Sequence, residues 1–212
     1  MIAVFIGSYL IGSIPFAYLL VRKKAKVDIR EAGSGNAGSF NAYVVTRSRV
    51  LGILLGVLDA LKGFMPVLVT GALFPNSFMY LCCALFGAIA GHNYPVWMGF
   101  KGGRGLATTA GGMIPLGFPY TVVWCLLWAI ARLLKRDILT SNLASILATP
   151  IVLWLLPWAW LMPLMRVDVD NWAFTFFSCV LSVILLLSHV DAVRDVWKRP
   201  TLEQPDASSP HP

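Results

Sequence analysis

The sequence predicts an all-α, polytopic membrane helix bundle of seven segments, or six if residues 106–134 form one crossing, with two glycine-rich loops on the cytoplasmic side. Three observations carry this prediction. Apolar residues make up 58% of the 212-residue chain against 13% charged, and mean hydropathy is +0.73, values of an integral membrane protein. The apolar residues gather into runs near the ~20 residues that span a bilayer. The cations, 17 Lys and Arg against 10 Asp and Glu, sit at the ends of those runs, as they do in cytoplasmic loops. That placement argues against nucleic acid as a partner, because no basic helix or stripe is interleaved with polar sequence. Cys82, Cys83, Cys125 and Cys179 lie inside apolar segments without C-x-x-C spacing and read as reduced packing residues.

Residues 2–21 form the first apolar run. Arg22, Lys23, Lys24 and Lys26 follow the run rather than precede it, so it reads as a retained helix with its N-terminus outside, not as a signal peptide. Residues 22–49 are polar. Residues 50–73 are the second span, interrupted by Asp59 and Lys62 on one helical face; the pair reads either as a structural ion pair or as a support for a polar site. Pro75 and Asn76 turn the chain into a third span over residues 78–90.

Residues 106–134 would make a helix of roughly 43 Å, longer than one crossing needs. Gly111, Gly112, Pro115, Gly117 and Pro119 interrupt the run, so two crossings or a re-entrant pair are expected. Splitting it puts Arg132, Lys135 and Arg136, and the later Arg194, Lys198 and Arg199, inside, with Asp168 and Asp170 outside. Residues 143–162 and 172–188 supply the last two segments, with Trp158, Trp160 and Trp172 as interfacial anchors. Residues 1–199 thus read as one integral membrane domain and residues 200–212 as a disordered tail.

Two stretches are not explained by apolar bulk. Residues 33–38 read GSGNAG, formally G-x-G-x-x-G, but they follow a span and a basic linker rather than a strand, so a dinucleotide site fails its context. Backbone N–H groups freed by Gly33, Gly35 and Gly38, with the side chains of Ser34, Asn36, Ser39 and Asn41, could cradle a phosphate, or the stretch is ordinary turn chemistry. Arg47 and Arg49 either add to that cradle or serve as topology signals. In residues 91–109, GHNYPVWMGFKGGRGLATT, Lys101 and Arg104 flank the bare backbone of Gly102 and Gly103, chemistry suited to phosphate. His92 reads as a general base or as a helix-end side chain bonded to backbone. His92, His189 and His211 lack ligand spacing, so no metal is expected. No G-x-S-x-G elbow appears, and Trp97 stands where an H-x4-D acyltransferase would carry Asp.

The motifs GSIPFAYLL at residues 12–20, DIREAGSGNAGSFN at 28–41, LDALKG at 58–63 and GHNYPVWMGFKGGRGLAT at 91–108 occur in the order and spacing of a known family. In these the chain resembles the bacterial membrane acyl-phosphate:glycerol-3-phosphate acyltransferases of the PlsY type. The resemblance implies a seven-helix inner-membrane enzyme, multi-pass, with its C-terminus in the cytoplasm. That enzyme moves a fatty acyl group from acyl phosphate to the 1-hydroxyl of glycerol 3-phosphate, giving lysophosphatidic acid and phosphate. It implies those two substrates and the bilayer as partners and no cofactor. It carries function to Ser34, Asn36, Gly38 and Asn41 in the first loop, and to His92, Lys101, Gly102, Gly103 and Arg104 in the second. Arg104 replaces the family's usual Lys, keeping the charge and adding a planar fork. The chain departs from the family pattern at Ser39 and Phe40, at Val44 in place of an Arg, at Asn142 in place of a Ser, and at Ala192 in place of an Asn. Those departures motivate a second expectation, a catalytically altered relative that binds phosphorylated lipid or acyl donor or acylates a different acceptor. A transporter of a phosphorylated anion would instead require two halves with matching interrupted segments, and no such repeat is visible.

Overall fold

In the computed structural model, which describes residues 1–135 and 137–198, the chain folds into helices, and no named strand forms among the described residues. The expected tail at residues 200–212 and the cations Arg136 and Arg199 lie outside the described residues.

The first apolar run is two helices, α1 (Ile2–Gly12) and α2 (Phe16–Ala25). Pro15 has no N–H to continue the ladder, and the residue before a proline is pushed out of the helical region. The Ser13 hydroxyl, buried at the break, donates to the Tyr9 carbonyl at 2.8 Å. Within the polar stretch of residues 22–49, α3 (Ser39–Thr46) forms by burying Ala42 and Asn41. Next comes α4 (Arg49–Leu73), capped by the Ser48 hydroxyl, which accepts from the Leu51 N–H at 3.3 Å. Asn76, at φ +61°, turns the chain into α5 (Phe78–Asn93).

The long segment is α6 (Leu106–Lys135), and it breaks where expected: Gly117 leaves helical geometry at φ −157°, ψ 77°. The Thr121 hydroxyl donates at 3.0 Å to the carbonyl of Ala110, eleven residues earlier, a separation of about 16 Å in a straight helix. The chain therefore doubles back, which favours seven apolar segments over six. Gly117 also pairs with Met165, and the Phe174 ring fills the space its side chain would need. Asp137 caps α7 (Ile138–Leu155) by accepting from the Thr140 N–H at 2.6 Å. After the short α8 (Trp158–Leu161), Asp170 caps α9 (Asn171–Leu187) in the same way at 2.8 Å, and α10 (Val190–Lys198) ends the description. Of the expected anchors, Trp160 and Trp172 are exposed, whereas Trp158 packs its ring on Phe174 at 6.0 Å.

Four segments are long and apolar enough to cross a bilayer by length and composition: Ile2–Ala25, Arg49–Leu73, Leu106–Leu134 and Ile138–Leu155. Large apolar side chains cover the outside, Leu133 at 82% and Val50 at 78% exposed among them, a surface suited to lipid rather than water. Lipid gives no hydrophobic drive between helices, so small residues that admit close backbone approach do the packing. Gly12 abuts the Ala88 carbonyl across α1 and α5, and Gly63 and Gly111 abut the Thr108 and Ala60 carbonyls across α4 and α6, each without room for a methyl group. The four cysteines are free.

Candidate active site

The first glycine-rich loop is knotted around Asn41. Its amide nitrogen donates to the carbonyls of Ile29, Ala32 and Asn36 at 2.9–3.2 Å, and its oxygen accepts from the Ser34 N–H at 2.9 Å. Gly33, at φ +62°, lies so close to that amide oxygen that a Cβ would overlap it. Ahead of the knot, Arg30 pairs with Asp28 at 2.6 Å, and the guanidinium beside Asp28 holds its carboxyl below the usual carboxylate range. Arg30 also donates to the Met98 carbonyl at 3.2 Å, reaching across to the second loop.

That second loop leaves α5 at Asn93, makes a short 3-10 turn over Val96–Met98 and returns to start α6. The Gly102 N–H donates to the Asn93 carbonyl and the Gly103 N–H to the His92 carbonyl, both at 3.1 Å. A second bond between the loops runs from the Ala37 N–H to the Gly102 carbonyl at 3.2 Å. Two stretches some sixty residues apart in sequence thus share one end of the bundle, as expected from the sequence.

Between them lies a cavity of about 320 Å³. Ser34, Gly35 and Asn36 line one side; Lys101, Gly102, Gly103 and Arg104 line the other. Lys101 is exposed at the rim and Arg104 is half-buried. The remaining expected residues take other places. Asn41 is 2% exposed with its amide wholly engaged, so its part is to hold the loop. Gly38 caps α3, Ser39 packs beside Gly56 of α4, and Arg47 ends α3 in the left-handed region, exposed; none of the three lines the cavity.

His92 does not line the large cavity. Only 7% exposed, it lines a separate cavity of about 20 Å³ with Lys62, room for about one water. Its ring packs against the Cα of Gly103, where no methyl group fits. Asp59 and Lys62 form the expected ion pair at 3.0 Å, buried, and the same Asp59 oxygen lies 3.5 Å from His92 Nδ1. Lys62 Nζ sits 5.2 Å from the centroid of the Phe16 ring.

A third wall was missed by motif reasoning. Leu187 and Ser188, at the end of α9, and Asp191, at the start of α10, line the large cavity beside Tyr94 and Phe100. The Ser188 hydroxyl donates to the Arg104 carbonyl at 2.9 Å. Beside it, His189 is fully buried, and its Nδ1 lies 2.7 Å from the Leu185 carbonyl. Burial pushes its imidazole pKa down. Among the described residues no cluster of potential metal ligands occurs. Chemically, the site joins two cations, the polar side chains of Ser34 and Asn36 and one carboxylate at the mouth of a lipid-coated bundle, a set able to hold phosphate groups and a hydroxyl together.

Comparison with known proteins gives one answer. The family model for glycerol-3-phosphate acyltransferase matches residues 2–199. A glycerol-3-phosphate acyltransferase of Bradyrhizobium diazoefficiens is 43% identical over 155 residues, 72% of this chain and 75% of that one. One of Anaplasma marginale is 32% identical over 194 residues, 91% of this chain and 89% of the relative. The crystal structure of PlsY (YgiH), an integral membrane glycerol 3-phosphate acyltransferase, in its glycerol 3-phosphate form, superposes with a TM-score of 0.77 at 28% identity, covering 92% and 91% of the two chains. Its lysophosphatidic acid form gives 0.73 at 26% identity, with the same coverage.

Proposed function

Since the chain belongs to the glycerol-3-phosphate acyltransferase family, we propose that acyl transfer takes place in the cavity between its two glycine-rich loops. The protein is a membrane enzyme of phospholipid synthesis that acylates glycerol 3-phosphate to lysophosphatidic acid. We assign acyl phosphate as its donor. The attacking 1-hydroxyl oxygen forms a bond to the acyl carbon, the bond from that carbon to the phosphate oxygen breaks, and inorganic phosphate leaves carrying the hydroxyl proton. An acyl phosphate is an activated mixed anhydride, so no covalent acyl-enzyme is required. Holding both phosphates and the hydroxyl in line supplies most of the acceleration.

The supporting observation is the union of the two loops around one cavity, tied by the Ala37 to Gly102 bond. The N–H groups of Gly35, Gly102 and Gly103 are engaged by the carbonyls of Ala32, Asn93 and His92, so it is Lys101 and Arg104 that neutralise the phosphates. Ser34 and Asn36 face them. Asp191, an acid among the lining residues, is the acceptor for a substrate hydroxyl. Because His92 sits behind the loop, it orients rather than acts as base.

The same reading sets the orientation in a bacterial inner membrane. Arg22, Lys23 and Lys24 close α2, and Lys24 donates to Ser48 at 2.8 Å, so the basic ends of α2 and α4 gather with the two loops. Asp168 and Asp170 precede α9, whose opposite end lines the cavity. Positive charge favours the cytoplasmic side, which gives an outside N-terminus and a cytoplasmic C-terminus.

The test is purified protein in nanodiscs with acyl phosphate and glycerol 3-phosphate, scored for lysophosphatidic acid. Lys101→Ala is expected to lower the rate at least about 100-fold, the scale of losing one charge-stabilising donor. Saturable binding of either substrate without turnover would instead identify a catalytically altered relative.

A further inference from the structure

The ion pair of Asp59 and Lys62 accounts for charge neutrality within α4 on its own, since two opposite charges i, i+3 apart avoid isolated burial. It does not account for His92. The three side chains are 2%, 6% and 7% exposed, and one oxygen, Asp59 Oδ1, faces both Lys62 Nζ at 3.0 Å and His92 Nδ1 at 3.5 Å. The far side of the imidazole meets Gly103, with Nε2 against its Cα where no methyl group fits. The ring is thus a wedge between a carboxylate fixed on α4 and the side-chain-free turn that carries Lys101 and Arg104.

The backbone around the wedge is equally tied. His92 and Asn93 supply the carbonyls that hold Gly103 and Gly102, and the Gly102 carbonyl in turn holds Ala37 of the first loop. At 3.5 Å neither Asp59 Oδ1 nor His92 Nδ1 completes a hydrogen bond, but a carboxylate facing Nδ1 favours a proton on that nitrogen and a ring turned towards it, as the outer carboxylates of metal-bound histidines do. Small displacements of a phosphate-holding turn cost large factors in rate.

We propose that Asp59 is a positioning residue for the turn of residues 101–104, acting through the imidazole of His92; this rests on the reading that the turn holds a substrate phosphate. Lys62 balances the charge that this arrangement places inside the bundle. A purely structural role predicts that removing both charges together is harmless. A positioning role predicts that it is not.

The experiment compares wild type, Asp59→Asn, the charge-balanced double variant Asp59→Asn/Lys62→Met, and Asp59→Glu, which keeps the charge but shifts the carboxylate by one methylene. The readouts are kcat and KM for glycerol 3-phosphate, monodispersity in detergent, and the 15N spectrum of labelled His92. The double variant is expected to fold, to raise KM at least about 10-fold, the scale seen for outer partners of a site histidine, and to lose the single Nδ1–H tautomer. A double variant with wild-type KM and wild-type His92 spectrum overturns the proposal. Should that variant fail to fold, Asp59→Glu decides, since a folded Glu variant with unchanged KM overturns it equally. If wild type makes no lysophosphatidic acid, the acyl-transfer reading fails instead. Calorimetric binding of glycerol 3-phosphate to the same variants, with the His92 spectrum, then still decides the role of Asp59.

Discussion

Asn41 shows how one side chain can define a site without touching its ligand. Its amide answers three carbonyls and one N–H of the first loop. Truncating it leaves buried polar groups unmatched, at about 1–3 kcal/mol each where water cannot reach. Asn41→Ala is therefore expected to lower the melting temperature and reduce lysophosphatidic acid formation together, whereas Lys101→Ala should affect only the latter; thermal unfolding in detergent separates them. Asp28 gives a pH prediction. Its carboxyl is held below its usual value by the hydrogen bond from Arg30, so its contribution is present above the unfolded carboxylate pKa and is lost as pH falls through the lower folded value. Asp28→Asn should flatten the acid limb of a stability-against-pH curve by lowering the neutral region towards the acid value, with the acid end nearly unchanged. A variant with the same acid limb as wild type would dissociate Asp28 from that transition. Val44 stands where the resembled family places an Arg and is 37% exposed on α3. Val44→Arg is expected to raise activity, and a lower or unchanged rate would mean that this pocket binds phosphate without that cation. The two loops were legible as residues, because cations beside bare glycine backbone have few other uses near lipid. The places of Asn41 and His92 were not, since a motif records which side chains occur and not whether they point into a cavity or behind it. Ser188 and Asp191, between the end of α9 and the first turn of α10, were not singled out, because the family pattern marked their neighbour Ala192 only as a departure and they join the site through tertiary packing.

At the scale of elements, the apolar runs located the spans well because bilayer thickness fixes their length. Their internal breaks were less visible. Pro15 divides the first run and Gly117 the long one, yet only the second exceeds a crossing length and so announces itself. Helix α3 was missed for the opposite reason: eight residues of mixed polarity carry little intrinsic helix stability, and it forms by packing on α4. The contacts of Gly63 and Gly111, like that of Gly12, are expected to be among the most sensitive in the bundle, because each meets a backbone carbonyl that cannot rotate away. Gly111→Val should separate α4 from α6 and destabilise the protein by at least about 1–3 kcal/mol, the cost of overpacking. Gly7, where an added Cβ would have no neighbour within 4 Å, is the matched control. Loss of monodispersity in Gly111→Val but not in Gly7→Val is the expected readout.

Over the whole molecule, one end gathers the basic helix ends, both loops and the end of α9, while the acidic turn before α9 lies at the other. Single-cysteine labelling of intact cells is expected to reach position 168 from outside and position 101 only after permeabilisation; the reverse pattern would invert the proposed topology. The bond from the Ala37 N–H to the Gly102 carbonyl has a consequence for how the two substrates sense each other. One peptide plane belongs to both walls, so a ligand that orders one wall has already met part of the entropic cost of ordering the other. Donor and acceptor should then show mutual linkage, each tightening the other's equilibrium binding by the same factor. Titrating glycerol 3-phosphate with and without a non-hydrolysable acyl phosphonate, then in the reverse order, would reveal that reciprocity as two equal ratios.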